Sequence, residues 1–203
     1  MDATGRITIE ILERIRKGAP SGLEDFVHRY GPKLLVFINY KLGGKLRSKV
    51  EPEDVLQDFL TSIIENREGF FDKVDQRGVH RTIYRLVENR IKDLYERHFQ
   101  TKKRSSNLEV RESGRSRSFS LSQVAGSTAS ISQRIEAEDE YRSLQRILDR
   151  LDEASQRLFV LKFVEESTNQ EIAEELNTSV STVKRLTADL VQKIQRARRS
   201  GRD

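Results

Sequence analysis

Apolar residues recur along most of the chain at the three- and four-residue spacing that is typical of amphipathic helices. The first such zone runs from about Thr8 to His98. Its clearest stripes lie within residues 55–64 and 79–94. Pro52 suits the first position of a helix, because the amide hydrogen that proline lacks has no partner there. β-branched runs with two-residue alternation are scarce, so the pattern predicts an all-α fold.

The helical pattern stops between Gln100 and about Arg134. This stretch is rich in Ser, Arg and Lys and poor in large apolar residues. Such a composition buries too little surface to offset the conformational entropy of the chain. The helical spacing resumes from about Ile135. The sequence therefore predicts two small helical domains, residues 1–99 and 135–203, joined by a flexible basic linker of residues 100–134.

The C-terminal domain carries the spacing of a helix-turn-helix. Thr168 and Glu171 have the separation of a capping box, in which the two side chains satisfy opposite backbone donors at a helix start. Ala173 lets two helices approach closely, and Asn177 tolerates the left-handed conformation of a tight turn. Val183 follows at the position of a buried core residue. These positions predict a helix-turn-helix, whose second helix enters the major groove of DNA.

The second helix of this unit separates into a predicted buried stripe and a polar face. The buried stripe consists of Val180, Val183, Leu186 and Leu190. The outward residues that would reach base edges are Ser181, Thr182, Lys184 and Arg185. Hydroxyls can pair with several base edges, and Arg can pair bidentately with guanine. The residues further on that suit phosphate contact are Lys193, Arg196, Arg198, Arg199 and Arg202. A plain helical hairpin with a solvated basic face is the alternative interpretation, but the capped turn, the spacing and the basic exit together favour DNA binding.

Composition limits the function classes that remain. The 203 residues carry a net charge of +5, with 35% hydrophobic and 34% charged residues, which suits small domains with thin cores. A modest basic excess fits a polyanionic partner. The chain has no cysteine, which excludes disulfides, zinc ribbons and iron–sulfur clusters within it. No apolar run approaches the ~20 residues of a membrane span, and the start lacks a signal-peptide pattern, so we expect a cytoplasmic protein without a membrane span.

No catalytic or metal-binding motif is present. The sequence has no phosphate-binding loop, no dinucleotide fingerprint and no HExxH pair, and its three histidines lack metal spacing. We therefore predict no catalytic residue, no metal and no cofactor. The carboxylates Glu53, Asp54 and Asp58 are best explained as an acidic, solvent-facing side of a helix start, where the helix dipole favours negative charge.

Three segments in order resemble the extracytoplasmic-function (ECF) sigma factors. Residues 53–59 (EDVLQDF) resemble the family's acidic, apolar helix in region two. Residues 83–93 (IYRLVENRIKD) resemble the helix that follows it in the same region. Residues 170–184 resemble the helix-turn-helix of region four, with Asn177 in place of the usual turn glycine. The combination covers most of the chain apart from the linker and the ends.

The resemblance implies a role for each segment. The acidic helix would dock on the clamp helices of the largest subunit of core RNA polymerase, through Glu53, Asp54, Gln57 and Asp58. The second helix and the loop before it would melt and capture the minus-ten promoter element, and the helix-turn-helix would read the minus-thirty-five element. The linker would thread toward the RNA exit path. The residues implied for the minus-ten contact are Lys73, Arg77, Arg81, Arg85, Asn89 and Lys92.

The partners implied are thus core RNA polymerase and promoter DNA, with an anti-sigma factor as a further partner that the family allows. Two other functions are compatible with the same sequence features. One is an ordinary helix-turn-helix regulator whose N-terminal helices sense a ligand or dimerise. The other is an enzyme acting on nucleic acid through carboxylates and magnesium. Binding to core polymerase separates the first from a sigma factor, and a magnesium-dependent cleavage assay would reveal the second.

Overall fold

The computed structural model describes residues 3–66, 69–70, 79–100 and 131–199. The N-terminal part contains α1 (Ala3–Arg16), α2 (Pro20–Arg47), α3 (Pro52–Glu65) and α4 (Val79–Gln100). The C-terminal part contains α5 (Ile131–Asp149), α6 (Glu153–Phe159), a π-helical turn (Val160–Val164), α7 (Asn169–Glu175) and α8 (Val180–Arg199). No strand occurs in these residues, so the all-α prediction is confirmed.

Helix α2 is the longest element and forms the centre of the N-terminal half. It continues through Pro32. It kinks at Gly43, which adopts φ 60° in the left-handed region that glycine tolerates. Helices α1, α3 and α4 all pack on α2.

Large side chains fill the space between these helices. Phe26, Phe37 and Leu56 are buried, and the ring of Phe37 meets that of Tyr84 edge-on with centroids 5.1 Å apart. Phe70 is also buried, and its ring meets Phe59 edge-on at 6.2 Å. Core packing is thereby the observed role of Phe70.

The C-terminal half packs directly on α2. Helix α5 lies along α2, and the π-helical turn also contacts it. The buried residues of both halves form one continuous apolar cluster. No helix among residues 3–66, 79–100 and 131–199 is long and apolar enough to cross a membrane.

The predicted linker lies mostly outside the described residues, which omit 101–130. Helix α5 begins at Ile131, so the last four residues of the predicted linker, 131–134, belong to this helix. The reason is local, since Ile131 and Ile135 stand four apart and extend the apolar spacing of α5 toward its start. The division into domains 1–99 and 135–203 stays a prediction.

Candidate nucleic-acid interface

The start of α7 is held by the predicted capping box. The Glu171 backbone amide donates to Thr168 Oγ1 at 3.2 Å, and the Thr168 amide donates to Glu171 Oε2 at 2.8 Å. After α7 the chain turns at Asn177, which has φ 48°. Ala173 and Val183 are buried between the two helices. The predicted helix-turn-helix is therefore present, with its small, turn and core residues in their expected places.

Ser179 caps the second helix, α8. Its Oγ accepts from the Thr182 amide at 3.1 Å, which satisfies one of the free donors of the first turn. Ser179 Oγ also lies 2.8 Å from Ser181 Oγ and 2.9 Å from Thr182 Oγ1. Ser181 is exposed, whereas Thr182 is half-buried. Of the two predicted base-reading hydroxyls, Ser181 is thus the more accessible.

Helix α8 presents its two predicted cations to solvent. Lys184 and Arg185 are both exposed. Val180, which we predicted to be buried, is 40% exposed. It is the first residue of α8, so no preceding turn of that helix covers it.

Lys193 was predicted to contact phosphate, and the structure gives it another partner. Its Nζ lies 2.5 Å from Asp152 Oδ2 and 2.8 Å from Ser155 Oγ. Asp152 caps α6 and accepts from the Ser155 amide at 3.0 Å. The hydrogen bond from Lys193, followed by those from Ser155, lowers the pKa of Asp152 to about 2. Lys193 therefore joins α8 to the start of α6.

The residues predicted for the minus-ten contact lie on α4 and in the segment before it. Lys73 and Arg77 lie outside the described residues. Arg81, Arg85, Asn89 and Lys92 are all exposed. Their spacing of four, four and three residues places them on one side of α4.

Carboxylates accompany this side of α4. Arg81 Nη1 lies 3.8 Å from Glu171 Oε1 of α7. Lys92 Nζ lies 3.8 Å from Glu88 Oε1, which is also 3.3 Å from Lys41 Nζ of α2. The charge of the predicted minus-ten surface is therefore partly neutralised within the molecule.

The predicted polymerase-binding residues lie at the start of α3. Asp54, Gln57 and Asp58 are exposed, and Asp58 Oδ2 is 2.9 Å from Arg90 Nη2 of α4. Glu53 differs from the prediction, because it is half-buried. Burial raises its pKa, and the nearby charges of Glu51 and Asp54 add to the effect.

The charge of Glu53 also acts on α5. Burial raises the pKa of the Tyr141 hydroxyl, and the negative charge of Glu53 adds to this effect. Glu53 is therefore the least accessible carboxylate of the acidic face, whereas Asp54 and Asp58 are exposed.

Residues 141–200, which include α6, α7 and α8, match the family described as sigma-70, region 4. We refer to this segment, which covers 60 of the 203 residues, as the region 4 domain. The match bears out the predicted resemblance to sigma factors over these residues. It supports a sigma-factor or helix-turn-helix DNA-binding role, which in this family is non-enzymatic and involves core RNA polymerase and DNA. No curated protein and no solved structure matches the chain.

The region 4 domain makes polar contacts with the N-terminal helices that the sequence did not predict. The Tyr84 hydroxyl of α4 donates to the Val164 carbonyl at 2.6 Å, and this bond is buried. Lys33 of α2 forms an ion pair with Glu166. These partners stand 80 and 133 residues apart in the sequence, so no local spacing could have indicated them.

No metal site accompanies these groups. Within residues 3–66, 79–100 and 131–199, no group of three or more His, Asp or Glu side chains is arranged to hold a metal ion. The described residues form three charged surfaces that can bind a partner. These are a basic face on α8, a partly neutralised basic face on α4 and an acidic face at the start of α3.

Proposed function

We propose that the protein is an ECF-type sigma factor that binds core RNA polymerase and directs promoter recognition, DNA melting and transcription initiation. The observation that carries the proposal is the presence, in one chain, of a region 4 domain with an exposed cationic helix and a separate exposed acidic face on α3. A DNA-binding regulator needs only the first of these surfaces. This function would place the protein in the cytoplasm.

The acidic face suits a protein partner rather than DNA. Asp54 and Asp58 would repel phosphate, whereas they complement a basic protein surface. Val55 and Phe59 of the same helix are buried in the core, so the carboxylates are held on a rigid element. We assign polymerase docking to Glu53, Asp54, Gln57 and Asp58, with Glu53 contributing from a half-buried position.

The two basic helices suit the two promoter elements. Helix α8 would enter the major groove and place Ser181, Lys184 and Arg185 at base edges, where an Arg–guanine pair contributes about 1–3 kcal/mol of discrimination. Helix α4 would contact the minus-ten element through Arg81, Arg85, Asn89 and Lys92. Lys73 and Arg77 belong to the same proposed surface.

The decisive experiment is binding of purified core polymerase by the wild type and by the Asp54→Lys/Asp58→Lys variant. Exposed charges contribute little to folding, so melting should change little, while polymerase binding and promoter-dependent transcription should fall sharply. The control is Glu10→Lys/Glu13→Lys, which makes the same change of charge at two exposed residues of α1.

Equal polymerase binding by the α3 variant and the wild type would contradict the docking surface. Absence of binding by the wild type would contradict the sigma-factor assignment itself. An ordinary helix-turn-helix regulator would then be the better account, because the region 4 domain would still explain DNA binding.

A further inference from the structure

Val180 is an apolar side chain that is exposed at the start of the basic helix α8. It is 40% exposed, and Lys184, one helical turn later, is exposed as well. Among residues 180–196 of this helix, Val191 is the one other large apolar side chain that is exposed. Val183 of the same helix is fully buried. The core therefore takes up Val183 completely, whereas much of the surface of Val180 is left for another contact.

The backbone around Val180 fixes the direction of its side chain. Ser179 caps α8 by accepting from the Thr182 amide at 3.1 Å, which closes the first turn of the helix. The connection from α7 is set by Asn177, at φ 48°. Valine branches at Cβ, so its χ1 angle in a helix is nearly fixed. The two methyl groups of Val180 consequently project in one defined direction.

Val180 also lines an open groove beside the turn between α7 and α8. The groove has a volume of about 640 Å³, and its lining includes Ala173 and Glu174 of α7 and Thr178 of the turn. No Lys or Arg of the described part of the chain lines it, and Glu174 is exposed. A carboxylate repels phosphate, so this groove disfavours the DNA backbone and is compatible with the uncharged edge of a base.

The chemistry of Val180 suits one base in particular. The first residues of the second helix of a helix-turn-helix reach base edges in the major groove. Thymine alone presents a methyl group there, and apolar side chains recognise it by contact. The valine side chain neither donates nor accepts a hydrogen bond, so it cannot pair with the polar edges of the other bases.

We propose that Val180 recognises the methyl group of a thymine in the major groove. The proposal rests on the DNA-binding role of the region 4 domain within the proposed function. Val180 and Lys184 lie four residues apart on one side of α8, a separation of about 6 Å along the helix axis. Successive base pairs are about 3.4 Å apart. The thymine therefore lies within about two base pairs of the base that Lys184 contacts.

Deoxyuridine provides a direct test, because it differs from thymidine only by the absence of this methyl group. The probe is a duplex that the full-length wild-type chain selects from a random pool, with each thymine replaced in turn by deoxyuridine. For the wild type, we expect one replacement to weaken binding about fourfold, the effect of leaving one methyl group unburied. For Val180→Ala, the same replacement should have little or no effect, because the contact is already lost.

Val191→Ala is the matched control, since it makes the same change at a valine of α8 that is 38% exposed. Val191 lies about 16 Å further along the helix axis, so this variant should respond to every replacement as the wild type does. Val180→Ile keeps the apolar contact and should retain the response. Alanine is a better helix former than valine, so Val180→Ala should fold, and its thermal unfolding should match that of the wild type.

Two results would overturn the proposal. One is a Val180→Ala variant that responds to every replacement as the wild type does. The other is a wild type that distinguishes no thymine from deoxyuridine within about two base pairs of the base at which Lys184→Ala loses selectivity. A selected duplex without a thymine in that range has the same consequence.

Failure of the proposed function gives different results. A wild type that selects no duplex would contradict DNA binding, and with it the role of Val180. A wild type that binds the selected duplex but not core polymerase would contradict only the sigma-factor assignment. The deoxyuridine test would then stand, because it uses the chain and DNA alone.

Discussion

The cationic faces of α4 and α8 contain the same residue types but differ in their surroundings. On α8, Lys184 and Arg185 are exposed, and neither forms an ion pair with another residue that the structure describes. On α4, Arg81 stands beside a carboxylate of α7, and Lys92 stands beside Glu88. In this conformation α8 is therefore ready to bind phosphate and bases, whereas α4 is partly occupied. Pairing with carboxylates, rather than residue type, therefore distinguishes the two basic faces.

Reversing the charge of each basic face should give the largest difference in DNA affinity between the two faces. We expect Lys184→Glu/Arg185→Glu to lower the affinity of the free chain for a selected duplex by about a hundredfold or more, because base and phosphate contacts are lost together. Arg81→Glu/Arg85→Glu should change the affinity much less. Titration of labelled duplex with each variant measures both values, and equal losses would show that α4 is already accessible.

The pH should alter the stability of the fold through Glu165. Burial, followed by the charges of Glu88 and Glu175, raises the pKa of Glu165 to about 7, although Lys41 and Arg81 oppose the shift. A raised carboxyl pKa means that the folded chain binds a proton more tightly than the unfolded chain. This contribution to the free energy of unfolding is then fully present below the ordinary pKa of about 4.5 and is lost as the pH rises through about 7.

Chemical denaturation of the wild type at pH 5 and at pH 7.5 measures this effect. We expect the free energy of unfolding contributed by Glu165 to fall by about 2 kcal/mol between these two pH values. Glu165→Gln should remove most of this dependence. If the variant and the wild type show the same pH profile of stability, Glu165 does not cause it.

The left-handed turn at Asn177 connects α7 to α8, so substitutions there should affect the stability of the helix-turn-helix and not the basic face of α4. Asn177→Ala places an ordinary residue at φ 48° and should lower the free energy of unfolding by about 1 kcal/mol. Asn177→Gly, which tolerates this conformation, should be neutral or stabilising. Thermal unfolding compares the two variants, and a larger cost for Gly than for Ala would contradict the left-handed turn.

The smallest expected effect concerns the cap of α8. Ser179→Ala removes the acceptor of the Thr182 amide and should cost about 0.5–1 kcal/mol. Ser179→Asp restores an acceptor and should recover most of the loss. Chemical denaturation measures the difference, and DNA binding by the Ser179→Ala variant should fall only slightly if the cap serves stability.

The predictions failed at single residues whose surroundings the helical pattern does not determine. Val180 was expected to be buried because of its phase on α8, yet it is 40% exposed. Glu53 was expected to face solvent, yet it is half-buried. Lys193 was expected to meet phosphate, yet it pairs with Asp152, the cap residue of α6. In each case the helix itself was predicted, because its apolar spacing is local, whereas burial and pairing depend on residues outside that helix.

The sequence alone determines the features that depend on neighbouring residues. These are the helical composition, the caps at Thr168 and Ser179, the left-handed turn at Asn177 and the outward position of Lys184 and Arg185. Each of them follows from helical phase or from backbone hydrogen bonds between residues a few positions apart. The pairing of Lys33 with Glu166 and of Tyr84 with Val164 was decided only by the tertiary structure. Those contacts depend on how α2, α4 and the region 4 domain pack. Charge complementarity and burial between segments far apart in the sequence do not appear in the spacing of residues, so the sequence pattern could not predict them.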